Sequence, residues 1–211
     1  MKLELIPQVT SKVPCHFLNM YKPQALKAAC HFLTHEKSII RQLLGLNPQI
    51  NNVVVIGSGP MAYLSLVQEY NKKYVGIDPY FPIKTMNNQS IYYLEHGFED
   101  IERNQIPTGP CLYVFWFNVF HYVKAPAQTI NRLSQPGDMV LHSTWSAHPE
   151  ADFHMKSYFR EVYRDSQLNY QHAITEIRTK NNDLNLTSNL NGIIHDEHYE
   201  NNINCCDVFY L

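Results

Sequence analysis

Short apolar runs alternate along the chain with segments in which apolar residues recur at helical spacing. The runs are rich in β-branched and aromatic residues, as in strands buried on both faces of a parallel sheet. The clearest runs are Val53–Ile56, Tyr74–Ile77, Leu112–Phe117 and Met139–His142. Helical spacing is found at Met61–Tyr70, Pro126–Leu133 and Phe153–Tyr163. The alternation predicts an α/β protein with a parallel sheet covered by helices on both faces.

The two ends of the chain have weaker patterns. Residues 21–44 have helical spacing, which predicts one or two helices and makes residues 1–50 an N-terminal helical segment. Ala173–Arg178 and Val208–Leu211 are predicted as late strands, and the Asn-rich stretch Asn181–Asn204 as a long loop or weak strands. Ile91–Leu94 fits either a third strand or the end of a helix.

Composition narrows the class of protein. The chain has 211 residues, 45% hydrophobic and 17% charged, which is an ordinary globular balance. The net charge is -2 with no basic stripe, so we expect a small-molecule substrate and no nucleic acid partner. No segment approaches the roughly 18 uninterrupted apolar residues of a membrane span. The five cysteines include no CxxC pair, so we expect reduced thiols in a cytoplasmic protein without a membrane partner.

The turn Gly57-Ser58-Gly59 follows the first predicted strand and precedes a helix. Glycines allow a tight turn and a close approach of ligand to backbone, and the helix N-terminus favours anionic groups. Asp78 lies 21 positions after Gly57, at the end of the second predicted strand. An acid at that position can accept hydrogen bonds from both hydroxyls of a ribose. The pair predicts a nucleoside-binding site, and the alternative is a glycine turn in an α/β domain without a ligand.

Residues 109–145 make the interpretation more specific. They contain Asn118-Val119-Phe120-His121-Tyr122-Val123 after the strongest strand, and Pro136-Gly137 before the next one. With residues 53–80, this order resembles class I S-adenosylmethionine-dependent methyltransferases over roughly residues 50–145. The resemblance implies a Rossmann-like three-layer α/β/α sandwich, with a mostly parallel seven-stranded sheet and a reversed late strand. Residues 51–211 would form the S-adenosylmethionine-binding domain, and the N-terminal helices, with Tyr21, a lid.

The resemblance also implies roles for individual residues. The loop Gly57, Ser58 and Gly59 would line the methionine part of the cofactor, and Asp78 would bind its ribose. The remaining cofactor-binding residues would be Tyr80 near the ribose or adenine, Phe98 against the adenine ring, Glu99 at its amino group, and Phe117 and Asn118 after the fourth strand.

His121 and Tyr122 lie just beyond the strongest strand, where a substrate would face the sulfonium. Either side chain could accept a proton from an attacking oxygen or nitrogen, and an imidazole suits that role near neutral pH. The alternative is a turn that caps a helix and takes no part in chemistry.

Three positions depart from the methyltransferase pattern: Met61 replaces a usual third glycine, and Val55 and Leu112 stand where acids are common. The loop "GSGPMAYLS", ending at Ser65, also resembles nicotianamine-synthase-like enzymes, which transfer an aminocarboxypropyl group from the same cofactor. A non-catalytic nucleoside-binding module and a nicotinamide-dependent dehydrogenase are further alternatives. We expect methyl transfer to a small molecule.

Two other motifs suggest different chemistry. "DPYF" at Asp78–Phe81 is similar to a motif of nucleic-acid amino-methylating enzymes, but it follows the second strand and not the fourth. The segments "HSTWSAHPEADFH" and "HDEHYE", the latter near Cys205 and Cys206, contain residue types that bind zinc or iron. Adjacent cysteines are poorly spaced for chelation and polar loops often contain histidine, so we expect no bound metal.

Overall fold

The apolar runs form the centre of a seven-stranded sheet. In this computed structural model, the described residues are 18–81, 89–164, 171–172, 174–175 and 189–211. The strand order is β3-β2-β1-β4-β5-β7-β6. The strands are β1 (Asn52–Ile56), β2 (Lys73–Ile77), β3 (Ile91–Leu94), β4 (Cys111–Phe115), β5 (Met139–Trp145), β6 (His195–Glu200) and β7 (Asn204–Tyr210).

The first five strands are parallel, and β7 alone among the described strands runs in the opposite direction. β1 lies between β2 and β4, with Val54 opposite both Val75 and Tyr113. β7 runs antiparallel to β5, with Val140 opposite Phe209, and β6 runs antiparallel to β7. This topology confirms the predicted mostly parallel sheet with a reversed late strand.

Helices cover both faces of the sheet. They are α1 (Pro23–Ala28), α2 (Cys30–Leu46), α3 (Leu64–Glu69), α4 (Pro126–Leu133) and α5 (Pro149–Val162), with a longer 3₁₀ helix at Trp116–Tyr122. Successive residues of β1 enter opposite layers, because strand side chains alternate between the faces of a sheet. Val53 packs in the cluster that contains Phe32 of α2 and Met155 of α5. Val54 packs in the cluster that contains Ile130 of α4, so the molecule is a three-layer α/β/α sandwich.

Two predicted elements end earlier or begin later than expected, because the backbone turns to left-handed conformations there. The strand predicted at Leu112–Phe117 ends at Phe115, and Phe117 has a φ of 45° within the 3₁₀ helix that follows. The helix predicted from Met61 begins at Leu64, since Met61 and Tyr63 have φ values of 62° and 65°.

The prediction of a strand at Ala173–Arg178 is wrong for the residues of this segment that the structure describes. Ile174 and Thr175 are helical, while Ala173 and residues 176–178 lie outside the described residues. The strand that precedes β7 is instead β6, within the stretch expected to be a loop or weak strands. β6 is an edge strand of mostly exposed residues, so it needs no apolar alternation. Ile91–Leu94, which the sequence left open, is the strand β3.

Asp138 supports the junction between β4 and β5 from a fully buried position. Its carboxylate accepts the backbone N–H of Cys111 at 2.8 Å and that of Gln135 at 2.9 Å. We expect Asp138→Ala to lower the free energy of unfolding by about 1–3 kcal/mol, because it leaves buried donors unpaired. Urea unfolding would measure the loss. Exposed Asp100 is the control, and an equal loss in Asp100→Ala would contradict the assignment.

Candidate functional site

The glycine turn after β1 is tied to the end of β2. Gly57 and Gly59 have φ values of 68° and 49°, in the left-handed region that favours glycine. The N–H groups of Gly57 and Ser58 donate to the carbonyl of Ile77 at 2.9 and 3.1 Å. The turn therefore lies at the carboxyl edge of the sheet, where α/β proteins commonly bind ligands.

Asp78 follows directly after β2 and supports the same turn. Its side chain is buried, with Oδ2 accepting the Gly59 N–H at 2.9 Å. Oδ1 accepts the N–H groups of Tyr80 at 2.8 Å and Phe81 at 3.3 Å. Burial raises the pKa of this carboxyl, and the three N–H groups counteract that rise. A carboxylate has about four acceptor sites, so one on Oδ2 is left for a ligand hydroxyl.

Tyr21, just before α1, lies directly over Gly59. A Cβ atom on Gly59 would collide with the Tyr21 hydroxyl. The Tyr21 ring stacks on Trp116 at 6.0 Å between centroids and meets Phe81 edge-on at 5.2 Å. Burial, and then the nearby charge of Asp78, raise the pKa of the Tyr21 hydroxyl, which is therefore neutral. The N-terminal segment thus covers the glycine turn.

The 3₁₀ helix after β4 packs against the other glycine of the turn. A Cβ on Gly57 would collide with Val119. The Asn118–Val123 segment and the glycine turn were predicted to belong to one site, and the structure brings them into contact. Nothing larger than glycine fits at either position of the turn without movement of a neighbour.

A fully buried carboxyl group, Glu36 of α2, lies beside this edge. It accepts hydrogen bonds from the hydroxyls of Tyr63 and Ser143 and from the Phe117 N–H, the last at 3.1 Å. Burial raises its pKa to about 7, although all three donors favour the charged form. The sequence pattern did not identify Glu36 as a site residue. Its only signal was an acid on the apolar face of a helix, between Phe32 and Ile40.

The other predicted cofactor residues are less closely grouped. Tyr80 is 42% exposed, and its backbone contacts Asp78. The Phe98 side chain is buried in the core cluster that contains Val54 and Ile130, edge-on to Phe115 at 5.5 Å. The backbone carbonyl of Glu99 accepts a hydrogen bond from Arg132 at 2.7 Å.

The residues predicted after β4 divide between core and surface. The Phe117 ring packs edge-on against Phe32 and Tyr158, at 4.9 and 4.8 Å. The side chain of Asn118 lies outside the described residues. His121 is buried, whereas Tyr122 is 49% exposed on the 3₁₀ helix.

Comparison with solved structures identifies the fold. An S-adenosyl-L-methionine-dependent methyltransferase from Methanococcus maripaludis, provisionally assigned, superposes with a TM-score of 0.54 at 16% identity, covering 87% of this chain and 89% of that chain. A provisionally assigned methyltransferase from Thermobifida fusca YX gives a TM-score of 0.53 at 11% identity, covering 92% and 85%. An S-adenosylmethionine-dependent methyltransferase from Thermotoga maritima gives 0.50 at 12% identity, covering 92% and 95%.

The chain therefore has the class I methyltransferase fold, as its sequence motifs indicated. No protein-family model matches the sequence, and no curated protein matches it. Within the described parts of the chain, no helix is long and apolar enough to span a membrane.

Glu36→Gln should change how stability depends on pH. The folded-state pKa of Glu36 is about 7 against an ordinary value of 4.5. Between these two pH values, the Glu36 carboxyl binds a proton in the folded protein that it has released in the unfolded chain. The resulting stabilisation of the folded state is fully present below pH 4.5 and is lost as the pH rises through 7. Glutamine mimics the protonated acid. The stability of Glu36→Gln relative to wild type should rise by roughly 3 kcal/mol between pH 5 and 8.

Urea unfolding across this pH range measures the difference. Glu69→Gln is the matched control, because Glu69 is 56% exposed in an ion pair with Arg41. If Glu36→Gln kept the wild-type pH dependence, Glu36 would not titrate near 7 in the folded protein.

Proposed function

We propose that the protein is an S-adenosylmethionine-dependent methyltransferase that acts on a small molecule. The observation that carries the proposal is the hydrogen bond between the Gly59 N–H and Asp78. It joins a left-handed glycine turn to an acid after β2, at the carboxyl edge of a methyltransferase fold. The 3₁₀ helix that follows β4 contacts the same turn.

The residues at this edge fit an adenosine-containing cofactor. Backbone at Gly57–Gly59 would lie along the methionine part, and the remaining acceptor capacity of Asp78 suits a ribose hydroxyl. S-adenosylmethionine would supply a methyl group activated by the sulfonium. The balanced charge and absence of a basic stripe support a small acceptor, and the five cysteines without a CxxC pair support a cytoplasmic protein.

The protein groups near the turn support two tasks, positioning and proton acceptance. Glu36 is enclosed by its donors, so we assign it the positioning of Tyr63 and of the backbone after β4. Tyr122 on the exposed side of the 3₁₀ helix, and His121 beside it, are the proposed proton acceptors. Methyl transfer needs little beyond alignment of nucleophile and sulfonium, so these groups would contribute modestly.

The position of Tyr21 favours a second candidate, a module that does not catalyse a reaction. Its ring lies directly over Gly59, in space that a cofactor would need. In the methyltransferase hypothesis this ring is part of a lid that moves before binding, as loops commonly do over such sites. In the second hypothesis it closes the site permanently.

Binding of S-adenosylhomocysteine distinguishes these two hypotheses. We expect Gly59→Ala to weaken binding by at least about tenfold, or about 1.4 kcal/mol, because alanine is strained at a φ of 49° and its Cβ enters the space over the turn that the cofactor would need. Gly45→Ala is the control, since a Cβ at Gly45 meets no atom within 4 Å. Titration calorimetry gives both affinities, and thermal unfolding checks that Gly59→Ala remains folded. Wild-type protein that binds neither S-adenosylmethionine nor S-adenosylhomocysteine at millimolar concentration would exclude the proposal.

The reaction product distinguishes methyl transfer from aminocarboxypropyl transfer. Methyl transfer leaves S-adenosylhomocysteine, and aminocarboxypropyl transfer leaves methylthioadenosine. We expect S-adenosylhomocysteine when the protein is incubated with S-adenosylmethionine and a small-molecule extract, measured by mass spectrometry against a control without protein. Accumulation of methylthioadenosine alone would instead support the chemistry of nicotianamine-synthase-like enzymes.

A further inference from the structure

The hairpin formed by β6 and β7 brings polar residues of different types together on one face. His198 and Glu200 are two positions apart on β6, and Cys205 and Asp207 are two apart on β7. In the antiparallel register, His198 lies opposite Asp207 and Glu200 opposite Cys205. Side chains two apart on a strand share a face, so these four form a square. We call them the hairpin cluster.

Neighbouring cysteines are poorly spaced to chelate one ion together. Here only one of the two is available to the hairpin cluster, because Cys205 and Cys206 point to opposite faces of β7. Cys206 is fully buried in the core cluster that contains Met155. Only the Cys205 thiol faces His198 and Glu200, so the hairpin cluster contains one thiol, one imidazole and two carboxylates.

The donor atoms are already close enough to share one ion. The ligand atoms of His198, Glu200 and Cys205 all lie within 4.8 Å of one another. His198 Nε2 is 3.6 Å from a Glu200 carboxylate oxygen. Donors around one tetrahedral Zn²⁺ are roughly 3.3–3.8 Å apart, given bonds of about 2.0–2.3 Å. Small side-chain rotations would bring the three donors into this range.

Asp207 holds the histidine in a ligating orientation. Its Oδ1 atom lies 2.6 Å from His198 Nδ1. A histidine that binds metal through one nitrogen almost always donates its other N–H to a carboxylate or carbonyl, which fixes the tautomer and the ring. Here that arrangement leaves Nε2 directed toward Glu200. This contact makes the hairpin cluster more than a group of exposed acids.

Hydrogen bonds hold the turn of the hairpin, and the cluster is accessible to solvent. The Asn201 side chain accepts the N–H groups of Ile203 and Asn204 at 2.8 and 2.9 Å, which fixes the turn and the strand register. The side chains of His198 and Glu200 are 55% and 54% exposed, so an ion can enter from solvent.

We propose that the hairpin cluster is a Zn²⁺ site, with His198 Nε2, Glu200 and Cys205 as ligands and Asp207 supporting His198. Thiolate, imidazole and carboxylate together are a typical donor set for Zn²⁺. The thiol binds as thiolate and its proton passes to solvent. A fourth position remains open to water. The site is on β6 and β7 at one edge of the sheet, with β4 and β5 between it and the strand that carries the glycine turn, so it does not depend on the proposed cofactor.

Metal titration of the untagged, chelator-treated chain in a non-thiol reductant tests the proposal. We expect Zn²⁺ to bind with a stoichiometry of one, and Co²⁺ to give a thiolate charge-transfer absorption band. Cys205→Ser should abolish that band, and Glu200→Gln should weaken Zn²⁺ binding strongly. Asp207→Asn should weaken it by roughly 10–100-fold, as for other residues that support a metal-bound histidine.

Cys30→Ser is the matched control, because Cys30 is an exposed thiol on α2 that is not part of the hairpin cluster. It should keep both the Zn²⁺ affinity and the Co²⁺ band. Circular dichroism of the metal-free variants checks their folding. If Cys205→Ser does not fold, Glu200→Gln, on the exposed edge strand, provides the test in its place. The absence of Zn²⁺ binding, or binding that none of the hairpin-cluster variants changes, would overturn the proposal.

Discussion

A single buried carboxyl group, that of Glu36, links four segments that are distant in sequence. It reaches from α2 to Tyr63 after the glycine turn, to the backbone at Phe117 after β4, and to Ser143 on β5. Burying a charged carboxylate costs free energy, so a buried carboxyl group must either accept hydrogen bonds or bind a proton. The pKa near 7 means that both contribute near neutral pH. Through Glu36, the N-terminal helices are joined to the sheet edge that carries the candidate site.

Asp78 performs a related task on the other side of the turn. It accepts hydrogen bonds from three backbone N–H groups, one of them that of Gly59, and so fixes the conformation of the turn. Val119 packs against Gly57, and Tyr21 packs against Gly59. The turn is thus held between an acid and two side chains, which explains why both glycines are needed. It also means that a ligand must displace Tyr21 or share space with it.

Much of the fold could be predicted because it depends on local patterns. The runs around Val54 and Tyr113 are apolar on both faces, so their place in the sheet is evident from sequence. The glycine turn and Asp78 could be paired because their spacing reflects one β-α-β unit. Segments without a clear apolar pattern could not be placed in this way. β6 has little apolar character, since an edge strand exposes most of its side chains.

The candidate site depended more on tertiary contacts. Glu36 has no sequence neighbour that signals its role, because its partners come from segments 27, 81 and 107 positions away. Phe98 and Phe117 follow strands as expected, but the direction of each ring is set by core packing against Phe115 and Tyr158. The sequence also did not indicate the left-handed backbone at Phe117.

A crystal structure of the protein soaked with S-adenosylhomocysteine tests the central claim, that this sheet edge binds the cofactor, most directly. The account predicts ligand density over Gly57–Gly59, a ribose hydroxyl bonded to Asp78, and the Tyr21 ring moved away from Gly59. A structure in which Tyr21 remains over Gly59 and the ligand lies elsewhere, or does not bind, would contradict it.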